Sequence, residues 1–174
     1  VGTGIEHITT HDSRYPTGIS DLVIWSDLAS TLLDVTKMQN AVFSNINLQG
    51  KVGAVVAGSI GLKGQDDGSF NTFQNCIFQS LDYGVGINAT LGTPFDNNLF
   101  IGCFFTACNT GVSMMGGNSG NIFSGCGWGQ NTLLDLEDGG VGNQYIGFRI
   151  ESPAETNILI STASINVTIV GSVI

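Results

Sequence analysis

The sequence predicts an all-β protein that forms a single-stranded parallel β-helix with three strands per coil. The first observation is a repeat, because the leading Asn of four similar segments recurs at intervals of 27, 23 and 22 residues. The second is that apolar residues alternate within each copy and are mostly aromatic or β-branched, with no sustained period of 3.6 residues. The segments are NTFQNCIF at 71–78, NLFIGCFF at 98–105, NIFSGCGW at 121–128, NQYIGFRI at 143–150 and a weaker NVTIVGSV at 166–173.

A unit of about 22–27 residues buries its apolar side by stacking on its neighbours, which is the property of a solenoid. Parallel strands joined by crossovers favour right-handed winding. Each copy predicts two short strands separated by a bend at Asn75, Gly102, Gly125 and Gly147. Asn and Gly tolerate the left-handed backbone that such a bend requires. The inward stacks are then Phe73/Phe100/Phe123/Tyr145, Cys76/Cys103/Cys126/Phe148 and Phe78/Phe105/Trp128/Ile150.

A third short strand is predicted later in each coil, at 85–87, 112–114, 134–136 and 158–160. Towards the N-terminus, residues 42–48 with a bend at Asn45 and residues 55–57 predict one further coil. Residues 19–24 and 33–35 predict an earlier and looser one. We therefore expect looser coils over residues 1–40 and regular coils over 41–174. Because the chain stops inside its last repeat, we expect it to be a fragment of a longer polypeptide.

Two polar features of the repeat have mainly structural interpretations. The leading Asn71, Asn98, Asn121, Asn143 and Asn166 are expected to form a ladder of stacked amides, and a row of glycan contacts is the alternative. Three cysteines share one repeat position and predict a reduced, buried stack, whereas Cys108 falls in a turn. No CxxC pair or Cys/His spacing typical of zinc occurs, so no zinc site is predicted, and the leading interpretation includes no metal and no cofactor.

Composition restricts the partners of this protein. Charged residues make up only 11% of the chain and the formal net charge is −9. Such a surface repels nucleic-acid phosphates and anionic membranes, so neither is expected as a partner. No run of about 18 apolar residues is present, which excludes a spanning helix. A neutral glycan is a better candidate ligand than a strongly anionic polymer.

The Asn-x-Phe-x-Gly-Cys-x-Phe coils resemble the right-handed β-helices of the pectin-lyase-like superfamily. The Gly-, Asn- and Ser-rich, charge-poor version here is most similar to bacteriophage tailspike and tail-fibre depolymerases, and the resemblance covers nearly the whole chain. It implies a homotrimer in the virion tail, assembled in the host cytoplasm, where free thiols survive. It also implies binding of a host surface polysaccharide, with or without cleavage as an endoglycosidase. The alternatives are a non-catalytic receptor-binding or structural shaft, and a secreted polysaccharide hydrolase or lyase.

The outward side chains of the third strands are expected to line a shallow glycan groove. The outward row is predicted as Glu6, Asp34, Val56, Gly86, Ser113, Asp135 and Leu159, and its small neutral centre would form the floor. Loops around 88–97 and 137–142 would border it. The predicted substrate-binding residues are Tyr83, Asn88, Ser113, Asn118, Gln130, Glu137 and Asp138.

Glycoside hydrolysis requires two carboxyl groups, which successive coils can supply. The best candidates are Asp135 as base or nucleophile and Glu151 or Glu155 as proton donor. A second acidic group could supply carboxylates or calcium ligands for a lyase, with Lys63 or Arg149 as the base. It consists of Asp66, Asp67 and Asp96. The alternative for all of these acids is a solvated loop position.

Overall fold

The structure is a computed structural model, and it describes residues 18–65, 67–89, 95–151, 156–161 and 166–171. These residues form nineteen strands and no helix, so they contain no helix that could cross a membrane. The strands are β1 (Gly18–Trp25), β2 (Thr31–Asp34), β3 (Val42–Gln49), β4 (Ile60–Lys63), β5 (Thr72–Gln74), β6 (Ile77–Gln79), β7 (Tyr83–Ala89), β8 (Phe95–Asp96), β9 (Leu99–Ile101), β10 (Phe104–Thr106), β11 (Thr110–Gly116), β12 (Asn118–Ser119), β13 (Ile122–Ser124), β14 (Gly127–Gly129), β15 (Leu134–Asp138), β16 (Gln144–Ile146), β17 (Arg149–Glu151), β18 (Thr156–Ile160) and β19 (Thr168–Val170).

The strands stack into a parallel β-solenoid of about six turns, which confirms the predicted β-helix. The first face contains β5, β9, β13, β16 and β19. The second face contains β6, β10, β14 and β17, and the third contains β2, β4, β7, β11, β15 and β18. Strand β3 pairs with β5 through its first half and with β6 through its second half, so it joins the first two faces into one sheet. The hand of the winding stays a prediction.

The bend between the first and second faces lies where the sequence predicts it. Asn75 has a φ of 53°, and Gly102, Gly125 and Gly147 have φ values of 59°, 62° and 59°. Asn45 adopts the same conformation in the preceding coil, with a φ of 55°. A left-handed residue at this point turns the chain sharply and lets the strands on either side keep their alternation.

The interior contains the predicted stacks of side chains. On the first face, ring centroids are 4.7 Å apart for Phe73 and Phe100, 4.3 Å for Phe100 and Phe123, and 5.1 Å for Phe123 and Tyr145. Trp128 is 1% exposed and continues the second row. These separations follow the spacing of about 4.8 Å between neighbouring strands, because equivalent residues of successive coils lie one above another.

The Asn ladder is confirmed for four of its five predicted members. Asn71, Asn98, Asn121 and Asn143 are buried. Each of the last three accepts a hydrogen bond at Oδ1 from the backbone N–H of the ladder Asn one coil earlier, at 2.9–3.0 Å. The fifth assignment is wrong, since strand β19 pairs Gln144 with Thr168 and so aligns Val167 with Asn143. Asn166 is exposed.

All four cysteines are free and buried, which confirms the predicted stack of Cys76, Cys103 and Cys126. Their sulfurs lie 3.4–3.6 Å from backbone carbonyl oxygens of the preceding coil, towards which a thiol can donate. Hydrogen bonding with the thiol of Cys103, together with burial, raises the pKa of Cys76. Burial raises the pKa of Cys108 to about 12.

Two predictions from the sequence are wrong in detail. The third strand of the second coil is β4, not residues 55–57, because residues 50–59 form a longer connection. Strand β15 is displaced relative to the predicted register, so that Ser113 lies opposite Glu137 and not opposite Asp135.

Candidate functional site

The third face carries an open groove with a volume of about 420 Å³. It lies where the sequence predicts a groove, along the outward side chains of the third strands. Strands β4, β7, β11 and β15 each contribute to it. The lining residues are Ile60, Tyr83, Gly86, Ile87, Ser113, Met115 and Glu137.

The register of the third face explains the floor of this groove. Parallel pairing places one outward residue of each coil in a single row, which reads Asp34, Lys63, Gly86, Ser113, Glu137 and Leu159. The two central residues, Gly86 and Ser113, are small. A Cβ atom at Gly86 would lie 3.2 Å from Ile60 Cγ2 and 3.3 Å from Tyr83 Cβ. Glycine therefore keeps the floor low beside two larger side chains.

The walls of the groove are mainly apolar. Tyr83 is 36% exposed and neighbours Ile60 across the β4–β7 pair, so the two side chains lie along one border. Met115 lies two residues beyond Ser113 in β11, so alternation places it on the same outward side of the strand. Its sulfur lies near Gly139, where a Cβ atom would be 3.1 Å away.

One ionisable carboxylate, Glu137, lies among the lining residues. The Ser113 hydroxyl donates a hydrogen bond to Glu137 Oε2 at 2.9 Å, which orients the carboxylate. Two ion pairs occur within the described ranges, Lys63 with Asp34 at 3.9 Å and Arg149 with Glu151 at 2.9 Å. Neither pair includes Glu137. Its negative charge therefore has a hydroxyl as partner and no basic side chain of the described chain.

The predicted outward orientation of Asp135 is wrong. Asp135 is fully buried, and Asn131 Nδ2 donates to its Oδ1 at 2.7 Å. The strand pairs align it with Gly111 and, further back, with Gly84 and Gly61. A Cβ atom at Gly111 would lie 2.7 Å from Trp128 Cδ1, so this position faces the interior. A carboxyl group placed there does not reach a ligand in the groove.

Asp138 and Asn118, predicted to bind substrate, also lie inside the solenoid. Asp138 accepts hydrogen bonds from the Gly140 N–H at 2.7 Å, from Asn143 Nδ2 at 3.0 Å and from the Tyr145 hydroxyl at 3.0 Å. Asn118 Oδ1 accepts from Asn143 at 2.7 Å. Burial, followed by the neighbouring Asp138 carboxylate, raises the pKa of Tyr145 well above its usual value. These side chains form a buried hydrogen-bonded cluster in the interior.

The other predicted site residues do not line the described groove. Glu151 is exposed on the second face beside Arg149, and Gln130 lies at a bend with a φ of 57°. Asn88 is part of β7, but its side chain is outside the described part of the structure, as is all of Glu155.

The second acidic group is also not assembled into a described site. Asp66 lies outside the described residues. Asp67 is exposed at a bend with a φ of 66°. Asp96 Oδ1 accepts a hydrogen bond from the Ser119 N–H at 2.6 Å, which connects successive coils.

A second groove of about 410 Å³ lies near the corner between the second and third faces. Its lining residues are Gly53, Ala54, Val55, Ser80, Ala107, Asn109 and Thr132, none of which is charged. Asn109 and Thr132 are joined by a hydrogen bond of 2.8 Å, and Asn109 Nδ2 donates to Asp82. Much of the hydrogen-bonding capacity of these side chains is used within the protein, which leaves less of it for a ligand. The third-face groove is therefore the better candidate site.

Sequence reasoning placed Tyr83, Gly86, Ser113 and Glu137 at the groove but missed Ile60, Ile87 and Met115 as lining residues. A signal for the correct register was present in four short segments. They read IGLK at 60–63, YGVG at 83–86, TGVS at 110–113 and LDLE at 134–137. Each has an apolar third residue and an outward fourth residue, and aligning them gives the observed strand pairs.

No protein-family model, curated protein or solved structure significantly matches this chain. A function is therefore inferred from the solenoid and from the chemistry of its third-face groove.

Proposed function

We propose that this chain is the β-helical body of a phage tailspike or tail fibre and that its third-face groove binds a host surface polysaccharide without cleaving it. The observation that carries the proposal is the groove itself. It combines a floor of Gly86 and Ser113, an apolar border at Tyr83 and a carboxylate at Glu137.

The lining suits the two kinds of surface that a sugar presents. Sugar rings have apolar faces, which pack on an aromatic side chain such as Tyr83. Their edges carry hydroxyl groups, which donate to a carboxylate and exchange hydrogen bonds with a serine hydroxyl. Glu137 and Ser113 supply both groups next to each other.

The direction of the groove suits a polymer. The row of outward residues crosses the strands, so a ligand lying along it meets an equivalent position every 4.8 Å or so. Successive coils offer different side chains at that position, from Lys63 through Gly86 and Ser113 to Glu137. An extended chain of unlike sugars can therefore be distinguished from other chains, unit by unit.

The carboxylates favour binding over cleavage. A glycosidase positions two carboxyl groups across the scissile bond, roughly 5–5.5 Å apart for retention or 6.5–9.5 Å for inversion. The described lining holds one carboxylate, Glu137, while Asp135 and Asp138 are buried in the interior. Of the alternatives considered from the sequence, the non-catalytic receptor-binding shaft agrees best with this arrangement.

The test is binding of the purified chain to an array of bacterial capsular and O-antigen polysaccharides, with Gly86→Leu as the blocking variant. A leucine would fill the floor of the groove and exclude a ligand from it, and we expect affinity to fall at least about tenfold, which corresponds to about 1.4 kcal/mol. Ser124→Leu is the control because it places the same leucine side chain at an outward position on the first face, between Ile101 and Ile146. It should bind like the wild type.

Two results would contradict the proposal: no binding by the wild-type chain to any polysaccharide, or undiminished binding by Gly86→Leu. Assays for new reducing ends should stay negative. Release of oligosaccharides would show that the chain is an enzyme and would move the search to carboxylates outside the described lining.

A further inference from the structure

We infer that Glu137 determines which sugars the groove accepts, so that it selects a unit presenting hydroxyl or ammonium donors and rejects an acidic one. This inference rests on the proposed function. It adds a chemical class of ligand and the residue responsible for it.

The carboxylate of Glu137 is held in place but keeps acceptor capacity. Ser113 donates to Oε2 at 2.9 Å, and Ser113 itself is 7% exposed, so its side chain has little freedom to move away. A carboxylate has about four lone-pair positions. Oε1 and the remaining lone pair of Oε2 are therefore available for donors on a ligand in the groove.

No basic side chain of the described residues neutralises this carboxylate. Its neighbours along the outward row are Ser113 and Leu159, both uncharged. The nearest cation in that row is Lys63, three coils away and paired with Asp34 at 3.9 Å. Three coils correspond to about 14 Å, which exceeds the screening length of about 8–10 Å at physiological salt. The formal net charge of −9 adds to the negative potential.

This environment has opposite consequences for two classes of sugar. A hydroxyl or protonated amine beside Glu137 gains a charge-assisted hydrogen bond, which is stronger than a bond between neutral groups. The carboxylate of a uronic or sialic acid in the same position meets a like charge in a partly enclosed groove, and such contacts oppose binding strongly. Glu137 therefore favours sugars with hydroxyl or ammonium donors and disfavours acidic sugars.

The experiment compares three sets of bacterial polysaccharides whose repeats are neutral, contain a free amino sugar or contain a uronic or sialic acid. We expect the wild-type chain to bind the acidic set at least about tenfold more weakly than the other two. Glu137→Gln removes the charge but keeps the shape, and it should bring the acidic set to within about threefold of the neutral set. Added salt should reduce the discrimination of the wild type.

Glu151→Gln is the matched control, since it changes the net charge by the same amount on the second face, away from the groove. It should leave the discrimination unchanged. Ser113→Ala is the second variant and keeps the charge while releasing the carboxylate, so it should weaken binding of all sets and still reject the acidic one. Thermal unfolding of each variant checks that the fold is retained.

The outcomes separate the inference from the proposed function. If the wild type binds acidic and neutral sets equally, or if Glu137→Gln and Glu151→Gln act alike, the inference is overturned while polysaccharide binding stands. If the wild type binds none of the three sets, the proposed function fails and the inference fails with it.

Discussion

The inward row of the first face and the outward row of the third face are built by the same parallel stacking but differ greatly in composition. The inward row reads Phe43, Phe73, Phe100, Phe123 and Tyr145. The outward row reads Asp34, Lys63, Gly86, Ser113, Glu137 and Leu159. An inward side chain must fit the one above and the one below it, whereas an outward one also contacts solvent. The inward row therefore holds the coils together by packing, whereas the outward row is free to vary from one coil to the next.

The largest expected effect is the loss of an aromatic ring from the inward row. Phe100 stacks on rings at 4.7 Å and 4.3 Å, so Phe100→Ala leaves a cavity between two coils. We expect the free energy of unfolding to fall by about 3–5 kcal/mol. Ile101→Ala, at the adjacent outward and 37% exposed position, should cost less than about 1 kcal/mol. Urea denaturation measures both, and equal losses would remove the distinction between inward and outward positions.

A smaller loss is expected at the Asn ladder. Asn121 accepts from the Asn98 N–H at 3.0 Å and donates to the Phe95 carbonyl at 2.9 Å, both in buried surroundings. Asn121→Ala leaves these groups unpaired, and we expect a loss of about 2–3 kcal/mol. Gln74→Ala, on the exposed side of the first face, should stay within about 0.5 kcal/mol. An effect of the Asn121 change no larger than that of the Gln74 change would contradict the structural role of the ladder.

Gly84 and Gly86 lie on the inward and outward sides of strand β7, so substitutions at these two positions compare the two sides directly. A Cβ atom at Gly84 would collide with the Gly111 carbonyl oxygen, whereas one at Gly86 would meet side-chain atoms at 3.2 Å or more. We expect Gly84→Ala to cost about 1–3 kcal/mol, as overpacking usually does, and Gly86→Ala to cost less than about 1 kcal/mol. Thermal and urea unfolding would test this order, and a reversal would mean that the faces of β7 are wrongly assigned.

The free energy of unfolding should fall gradually at alkaline pH. The pKa of Cys108 is raised by burial from 9.0 to about 12, so the folded chain keeps this thiol protonated where the unfolded chain ionises it. The resulting stability is complete below pH 9 and is lost as the pH rises towards 12, at up to about 1.4 kcal/mol per pH unit for each such thiol. Cys108→Ala should show a shallower decline of the urea midpoint between pH 8 and 10.5. An identical slope in the variant and the wild type would contradict the raised pKa of Cys108.

The smallest expected effect is at the groove. Ser113→Ala removes one partly exposed hydrogen bond, to Glu137, and should change the free energy of unfolding by less than about 1 kcal/mol. Affinity for a bound polysaccharide should change more than stability does. A severe loss of stability would show that the outward row supports the fold as well as recognition.

Much of the solenoid could be predicted because its inward side chains repeat. The bends at Asn75, Gly102, Gly125 and Gly147 follow from residues that tolerate a left-handed backbone, and the Phe and Cys stacks follow from their equal distances to those bends. The fifth Asn was misplaced because Asn166 precedes its strand by two residues, whereas each of the other four immediately precedes one. A repeated Asn is therefore a weaker guide to the alignment of coils than the number of residues between that Asn and the strand that follows it.

The sequence by itself determined the fold class, the coil length and the inward rows of the first two faces. Only the tertiary structure decided the register of the third face. Asn109 and Thr132 are neighbours in successive coils before the corner and are 23 residues apart. Ser113 and Glu137 are neighbours in the same two coils after the corner and are 24 residues apart. The corner before β15 therefore contains one extra residue. In the resulting register Asp135 aligns with the inward position of Gly111 and accepts a hydrogen bond from Asn131, and Glu137 lies in the groove. The physical reason is that parallel pairing fixes which residues lie opposite each other within the strands. A corner, in contrast, accommodates an additional residue at little cost. The alternation of apolar and polar residues does not reveal at which corner the additional residue was inserted.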